Sequence, residues 1–447
     1  MKSIFFTKIR STVLIFFTAF LTLNGQWSYE YLSSKTIQMG ATSNGSGVYF
    51  AGGIVGNYFT PKIHVYNVNS KSWSALSLSR ARAFPAAVSV MDKVIFAGGY
   101  ENVTSDVVDI FNVNTNVRKT EELSEPRFSI ATAAYGSRVL FAGGVNVETM
   151  TAFKKVDIYH LDTDTWSADS LSQARAGMAF VVAGDKAFFA GGYDFEKVTD
   201  RVDIYNFNTG KWDTARLSLP RVFASAAYAG NKVIIAGGVI ASDITTDRVD
   251  IYDTVTDTWT MSTLSEPRGF IDNAAVACNK AFFVGGCNLN FQTNMEYEPH
   301  KSVDIYDPYT GTWEVKYLKD VVLNNAVTSN GNLVFSAGGT KDVLNPDEDT
   351  NLVEIFDCAT SGVSDPSFQK LLIVPNPATE HFRVDVPASF DLYNADITVR
   401  NSDGKTVFQK TGTAIAEGID TDRWSGGIYV VSIRLNGQLY TLRLVVL

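Results

Sequence analysis

Five arginines recur at matched places in this 447-residue chain: Arg82, Arg127, Arg175, Arg221 and Arg268, each 16 or 17 residues before a pair of glycines. Guanidiniums gathered at one opening would grip a carboxylate, such as that of a uronate or sialate, in bidentate fashion. The same spacing supports a second reading. Each arginine could tether its own structural unit through the recurrent aspartates Asp109, Asp157, Asp203, Asp250 and Asp304. Strict repetition reports scaffold more often than site, because sites usually break a repeat.

Other candidates follow the glycine pairs. Tyr100 and Tyr193 come directly after them and could stack on a sugar ring or cap an opening. The segment 288–301 holds Phe291, Glu296, Tyr297, Glu298 and His300, on a variable stretch of the kind that carries specificity. The acidic stretch 341–351, with Asp342, Asp347, Glu348 and Asp349, could hold calcium, or could be a solvated charge run. Calcium is the one cofactor candidate; otherwise none is expected. The histidines His64, His160, His300 and His381 are scattered, so no acid, base or nucleophile constellation stands out.

The elements that must position these residues are repeats. Glycine pairs occur at 52–53, 98–99, 143–144, 191–192, 237–238, 285–286 and 338–339, a period of 45 to 53 residues. Each unit carries four short strand signals. In the unit beginning near Leu171 they are Ala176–Val182, Lys186–Ala190, Arg201–Tyr205 and a strand around Trp212. The second strands alternate weakly, as expected where both faces of a sheet are buried. Trp73, Trp166, Trp212, Trp259 and Trp313 follow at the outer strand, where a large ring would fill the wedge between diverging sheets. Unit two has Val117 or Arg118 there, so its outer edge should pack less well.

The order of paired glycine, Val-Asp-Ile-Tyr strand, tryptophan and arginine resembles the kelch repeat of β-propellers. The strands Val156–Tyr159, Val202–Tyr205, Val249–Tyr252 and Val303–Tyr306 match, with Val108–Phe111 and Val353–Phe356 as variants. The resemblance implies an all-β fold, a seven-bladed propeller over 26–358. The seventh unit lacks a tryptophan strand after Phe356, whereas Gln26-Trp27-Ser28-Tyr29-Glu30-Tyr31 precedes the first unit. The N-terminal strand is therefore expected to complete the last blade and close the ring, which removes free sheet edges. A kelch enzyme of the galactose oxidase type would want a cysteine–tyrosine pair and two histidine ligands, and that set is not visible. The sialidase box is absent as well.

Composition sets further bounds. A net charge of −9 argues against nucleic-acid binding. Cys278, Cys287 and Cys358 are too few for a disulfide framework and read as packing residues; Cys278 and Cys287, at opposite ends of one strand, should not pair. Basic residues Lys2, Lys8 and Arg10 precede the apolar run 13–21, a secretory signal pattern with cleavage near Gly25. No transmembrane segment is expected in the mature chain.

Residues 359–370 read as a linker. Beyond it, strand signals at Phe382–Val386, Ile397–Arg400, Val407–Lys410, Gly427–Ile433 and Gln438–Val446 describe a small β-sandwich. Pro375-Asn376-Pro377, Ser402-Asp403-Gly404-Lys405 and Gly426-Gly427-Ile428-Tyr429 stand in the order found in the C-terminal sorting domain of the type IX secretion system, which 371–447 resembles. That resemblance implies the type IX machinery as a partner, export through the periplasm, and a secreted or outer-membrane surface location. The tail 442–447 lacks the lysine often seen near the end of that family. The sequence reading is thus an exported propeller that binds an extracellular glycan or protein without catalysis. The alternatives are a sialate mutarotase-like kelch enzyme acting on an acidic sugar, and a structural envelope component.

Overall fold

A computed structural model describes residues 26–240, 244–271, 274–290, 296–359, 372–374, 378–385, 396–401, 403–411, 418–435 and 438–446. The signal segment, most of the linker and Pro375-Asn376-Pro377 lie outside the described residues. Contacts divide the chain into two units, 1–361 and 362–447.

Each of the first six repeats folds into one four-stranded antiparallel sheet, because four short apolar-rich runs separated by tight turns pair most readily with their sequence neighbours. In the repeat near Leu171 the strands are Ala179–Ala183, Lys186–Ala190, Arg201–Asn206 and Lys211–Arg216, paired in that order. Numbered along the chain, the blades span 40–77, 86–122, 131–170, 179–216, 225–263, 275–317 and 326–357. The last takes its outer strand from the other end of the chain: Gln26–Tyr31 pairs antiparallel with Leu352–Asp357. Each innermost strand lies beside the next, and the seventh lies beside the first. The ring is closed.

Blades grip one another through their glycine pairs. Gly98 has φ +61°, and a Cβ there would sit 2.3 Å from the Arg127 carbonyl oxygen of the next blade. No side chain fits that approach. The following amide, Gly99 N–H, donates to the same oxygen at 3.2 Å, and Gly53 does so to Arg82 at 2.8 Å. At the join, Gly339 N–H donates to Thr36 at 3.0 Å. Tryptophans fill the outer wedge. Trp212 packs on Tyr205 at 4.9 Å and donates through Nε1 to Asp169 of the preceding blade at 2.8 Å. In blade two Val117 is exposed, and Arg118 reaches the Ser77 carbonyl of blade one instead.

One expectation fails here. Cys278 and Cys358 form a disulfide, Cα–Cα 6.2 Å, so they are not packing residues. Eighty residues separate them in sequence. Only the ring brings the inner turn of blade six against the end of blade seven's third strand. Cys287 does not join Cys278 and is buried near Val222, Val239 and Leu323.

The second unit holds a four-stranded sheet of Thr406–Thr411, Asp396–Arg400, Gly427–Leu435 and Gln438–Val446, and a three-stranded one of Leu372–Val374, His381–Asp385 and Ile419–Asp420. Phe382, Val384, Ile397, Val399, Val431 and Ile433 form its core.

Candidate functional site

The five arginines do not line a mouth. Arg82, Arg127, Arg175, Arg221 and Arg268 are each 0% exposed. Each guanidinium pairs with the aspartate of its own blade: Arg82–Asp109 at 2.9 Å, Arg127–Asp157 at 2.5 Å, Arg175–Asp203 at 2.8 Å, Arg221–Asp250 at 2.7 Å and Arg268–Asp304 at 2.6 Å. Each also donates to a second-strand carbonyl, as Arg175 does to Phe189 at 3.1 Å. The aspartate then accepts the backbone N–H of the connector from the preceding blade, Ser79 for Asp109 and Ser218 for Asp250, both at 3.0 Å. Burial pulls the pKa values of Arg82, Arg127, Arg175 and Arg221 down, and the facing aspartates oppose the drop. With every such guanidinium spent inside a blade, the ligand-binding expectation for the arginines gives way to the tethering one.

Two blades break the pattern. Blade one has Thr36 at the arginine place and His64 at the aspartate place; blade seven has Val322 and Glu354. His64 lies 6.4 Å edge-on to Trp73. Burial, with the nearby Lys62 charge, lowers its pKa to about 4, so it packs as a neutral ring.

The mouth itself is built two residues beyond each arginine position, at Gln38, Phe84, Ser129, Gly177, Phe223, Phe270 and Asn324. All seven have positive φ, between 51° and 63°. This turn aims their amides around the axis. Gln38 N–H donates to the Asn324 carbonyl at 3.1 Å, Phe84 to Gln38 at 2.9 Å, Phe223 to Gly177 at 2.9 Å and Phe270 to Phe223 at 3.1 Å. Gly177 N–H donates to Ser129 Oγ at 3.1 Å. The result is a collar hydrogen-bonded in two arcs, Asn324–Gln38–Phe84 and Ser129–Gly177–Phe223–Phe270.

Aromatic rings stand on the collar. Phe223 and Phe270 stack at 4.3 Å, and Tyr193 joins Phe223 at 5.9 Å. In blades two and three, Phe84 and Tyr100 both contact Phe128, at 6.0 and 6.2 Å. The predicted tyrosines thus belong to two aromatic clusters whose phenylalanines the sequence reading passed over. An Arg-x-Phe pattern at Arg82, Arg221 and Arg268 was the available signal. Beneath the collar lies a cavity of about 430 Å³ lined by residues on or leading into the innermost strands of all seven blades. Its lining carries hydroxyls, including Thr42, Ser89, Thr132 and Ser225, and among the described residues no charged side chain.

Residues 130–322 match the family model of the KLHDC2/KLHL20/DRC7 Kelch-repeats domain, and residues 372–447 that of the secretion system C-terminal sorting domain. The chain carries a kelch-repeat domain and a sorting domain. No curated protein matches it. The sorting domain implies export by type IX secretion, which makes the protein secreted or cell-surface. No helix among the described residues is long and apolar enough to cross a membrane.

The kelch domain's variable loops surround the collar. Cys287–Asn290 pairs with Glu296–Pro299 on one side and, at Asn290 opposite Ile244, with Ile244–Thr245 of the preceding blade's loop on the other. Phe291 lies outside the described residues. His300 is held by Glu266 through Nδ1 at 3.0 Å, so it supports the loop. In 341–351 the carboxylates diverge. Asp342 accepts the Leu344 N–H at 2.9 Å, whereas Asp349 is buried. Among the described residues no three His, Cys, Asp or Glu side chains converge as a metal site.

Proposed function

We propose that this exported kelch propeller is a binding module that takes an extracellular glycan at its aromatic collar. The observation that carries the reading is the pair of clusters Phe84–Tyr100–Phe128 and Tyr193–Phe223–Phe270 beside a cavity lined with hydroxyls. Aromatic faces stack on the apolar faces of sugar rings, and hydroxyls orient them, without a charged partner. A neutral sugar suits the collar better than an acidic one, since the guanidiniums that would pair with a carboxylate are buried in the blades. The hydrogen-bonded turns that carry Phe84, Phe223 and Phe270 hold these rings in place before a ligand arrives, which lowers the ordering cost of binding. The sorting domain delivers the propeller to the exterior, where its removal or retention sets release against attachment.

The test is a glycan-array screen of the purified protein, followed by titration of the best neutral hit. Phe84→Ala and Phe270→Ala should weaken binding by about tenfold or more while the melting temperature holds within a few degrees. Absence of any glycan binding, or binding confined to acidic glycans, would overturn the reading in favour of a protein ligand or a charged site elsewhere.

A further inference from the structure

Blade seven keeps the anion of the buried ion pair and loses the cation. In blade two the Arg82 guanidinium is accepted by Arg80 O at 3.1 Å, Phe96 O at 3.2 Å, Gly98 O at 2.8 Å and the Asp109 carboxylate at 2.9 Å. The blade-seven counterparts of these four groups are Asp320, Ser336, Gly338 and Glu354. All four line one small cavity beside Val322, the residue at the arginine place. Its volume beside the Val322 side chain is about 20 Å³, room for a single water-sized occupant.

Glu354 is 5% exposed. Its carboxylate accepts the Lys319 backbone N–H at 3.0 and 3.1 Å, and among the described residues no lysine, arginine or histidine forms an ion pair with it. The connector amide does not use up such a carboxylate, because Asp109 and Asp250 accept one and still hold a guanidinium. Lys341 also lines the cavity, but its ammonium is committed to Asp320 at 3.0 Å. Asn325, whose amide nitrogen donates to Ser336 Oγ at 2.8 Å, is 1% exposed and its Oδ1 has no partner.

Blade one shows what a repeat does when it gives up the pair altogether. There both partners change, to Thr36 and a neutral His64, and no charge is stranded. In blade seven only the cation is gone, and a buried carboxylate without a counter-charge is strongly unfavourable.

We propose that blade seven holds a small monovalent cation of the sodium, potassium or ammonium class, with Glu354 and the backbone oxygens of Asp320, Ser336 and Gly338 as its ligands. Oxygen ligands suit hard cations. One uncompensated carboxylate matches a single positive charge, since Lys341 already neutralises Asp320, and a divalent ion would want more carboxylates.

The experiment uses the full chain at pH 8, well above the ordinary carboxylate range. Melting temperatures are compared at equal ionic strength in sodium, potassium, ammonium and tetramethylammonium chloride. At least one small cation should raise the melting temperature over tetramethylammonium by about 2–5 °C, and the rise should saturate. Glu354→Gln should abolish the difference. Val322→Arg should abolish it too, and should raise the melting temperature in tetramethylammonium by supplying the guanidinium that the other blades use. Equal melting temperatures in all four salts would overturn the proposal, as would a cation effect that survives in Glu354→Gln. If Val322→Arg fails to fold, the nearly isosteric Glu354→Gln decides alone.

Discussion

Cys278 and Cys358 join blade six to blade seven at a seat that other blades fill by packing alone. Between blades five and six the same seat is taken by Gly230 against Pro308, where a Cβ on the glycine would lie 3.1 Å from the proline ring. The covalent version sits next to the blade where the ring closes.

Reduction of this disulfide should destabilise the propeller. Closing an 80-residue separation accounts for about 4 kcal/mol on the chain-entropy argument. Cys278 also has φ +48° at a turn position where Gly136, Gly184 and Gly230 stand in other blades. The pair Cys278→Gly/Cys358→Val should therefore lose about 1 kcal/mol less than Cys278→Ser/Cys358→Ser. Urea unfolding of both variants makes the comparison, and equal losses would remove the backbone part of the explanation.

Deleting residues 26–31 should lower the melting temperature and expose the propeller to proteolysis. The strand covers Leu352–Asp357 along its whole length, and Trp27 packs on Phe356 at 5.1 Å. Without it the last blade has an open edge. Trp27→Ala is the milder test and should cost about 2–3 kcal/mol, since the ring is half-buried. An unchanged melting temperature after the deletion would contradict the closure role.

Arg175→Ala should cost about 3–5 kcal/mol, because it strands the Asp203 carboxylate in the blade. If the variant folds, its glycan affinity should match the parent's. Loss of binding with stability intact would restore the arginines as ligand contacts.

The neutral His64 predicts an acid sensitivity. Its folded pKa of about 4 lies below the ordinary value of 6.5, so between those limits the unfolded chain binds more protons than the folded one. Stability is then fully present above about pH 6.5 and declines as the pH falls toward 4. His64→Leu should flatten the melting temperature against pH across that window. A parallel slope in parent and variant would assign the sensitivity to other groups.

The strands were legible because the repeat prints them seven times. The second strand expected over Lys186–Ala190 is the observed one, and the third, expected to end at Tyr205, runs one residue further. The closing strand was legible from a deficit, the missing tryptophan strand after Phe356. The arginines could not be placed from spacing alone. A residue facing a channel and one facing its own sheet have the same period, and only the register of Asp203 opposite Phe189 shows which is which. The disulfide was hidden for the converse reason. Cys278 and Cys358 become neighbours through the ring, a contact that no local pattern encodes. The collar was missed because positive φ at Phe84, Phe223 and Phe270 is unusual for a bulky side chain, and sequence gives no warning of it.

The glycine bonds between blades have a consequence for where the chain has to begin. Gly339 holds Thr36 at the join by the same amide-to-carbonyl bond with which Gly53 holds Arg82 between blades one and two. Gln26 lies directly opposite Asp357 in the closing sheet, so the two ends of the propeller are adjacent. The ring has no energetic starting point. A circular permutant that links 358 to 26 by a short peptide and opens at the exposed turn Asn208-Thr209-Gly210 would keep every blade-to-blade bond, and would fold to the same ring with its chain ends on the opposite arc.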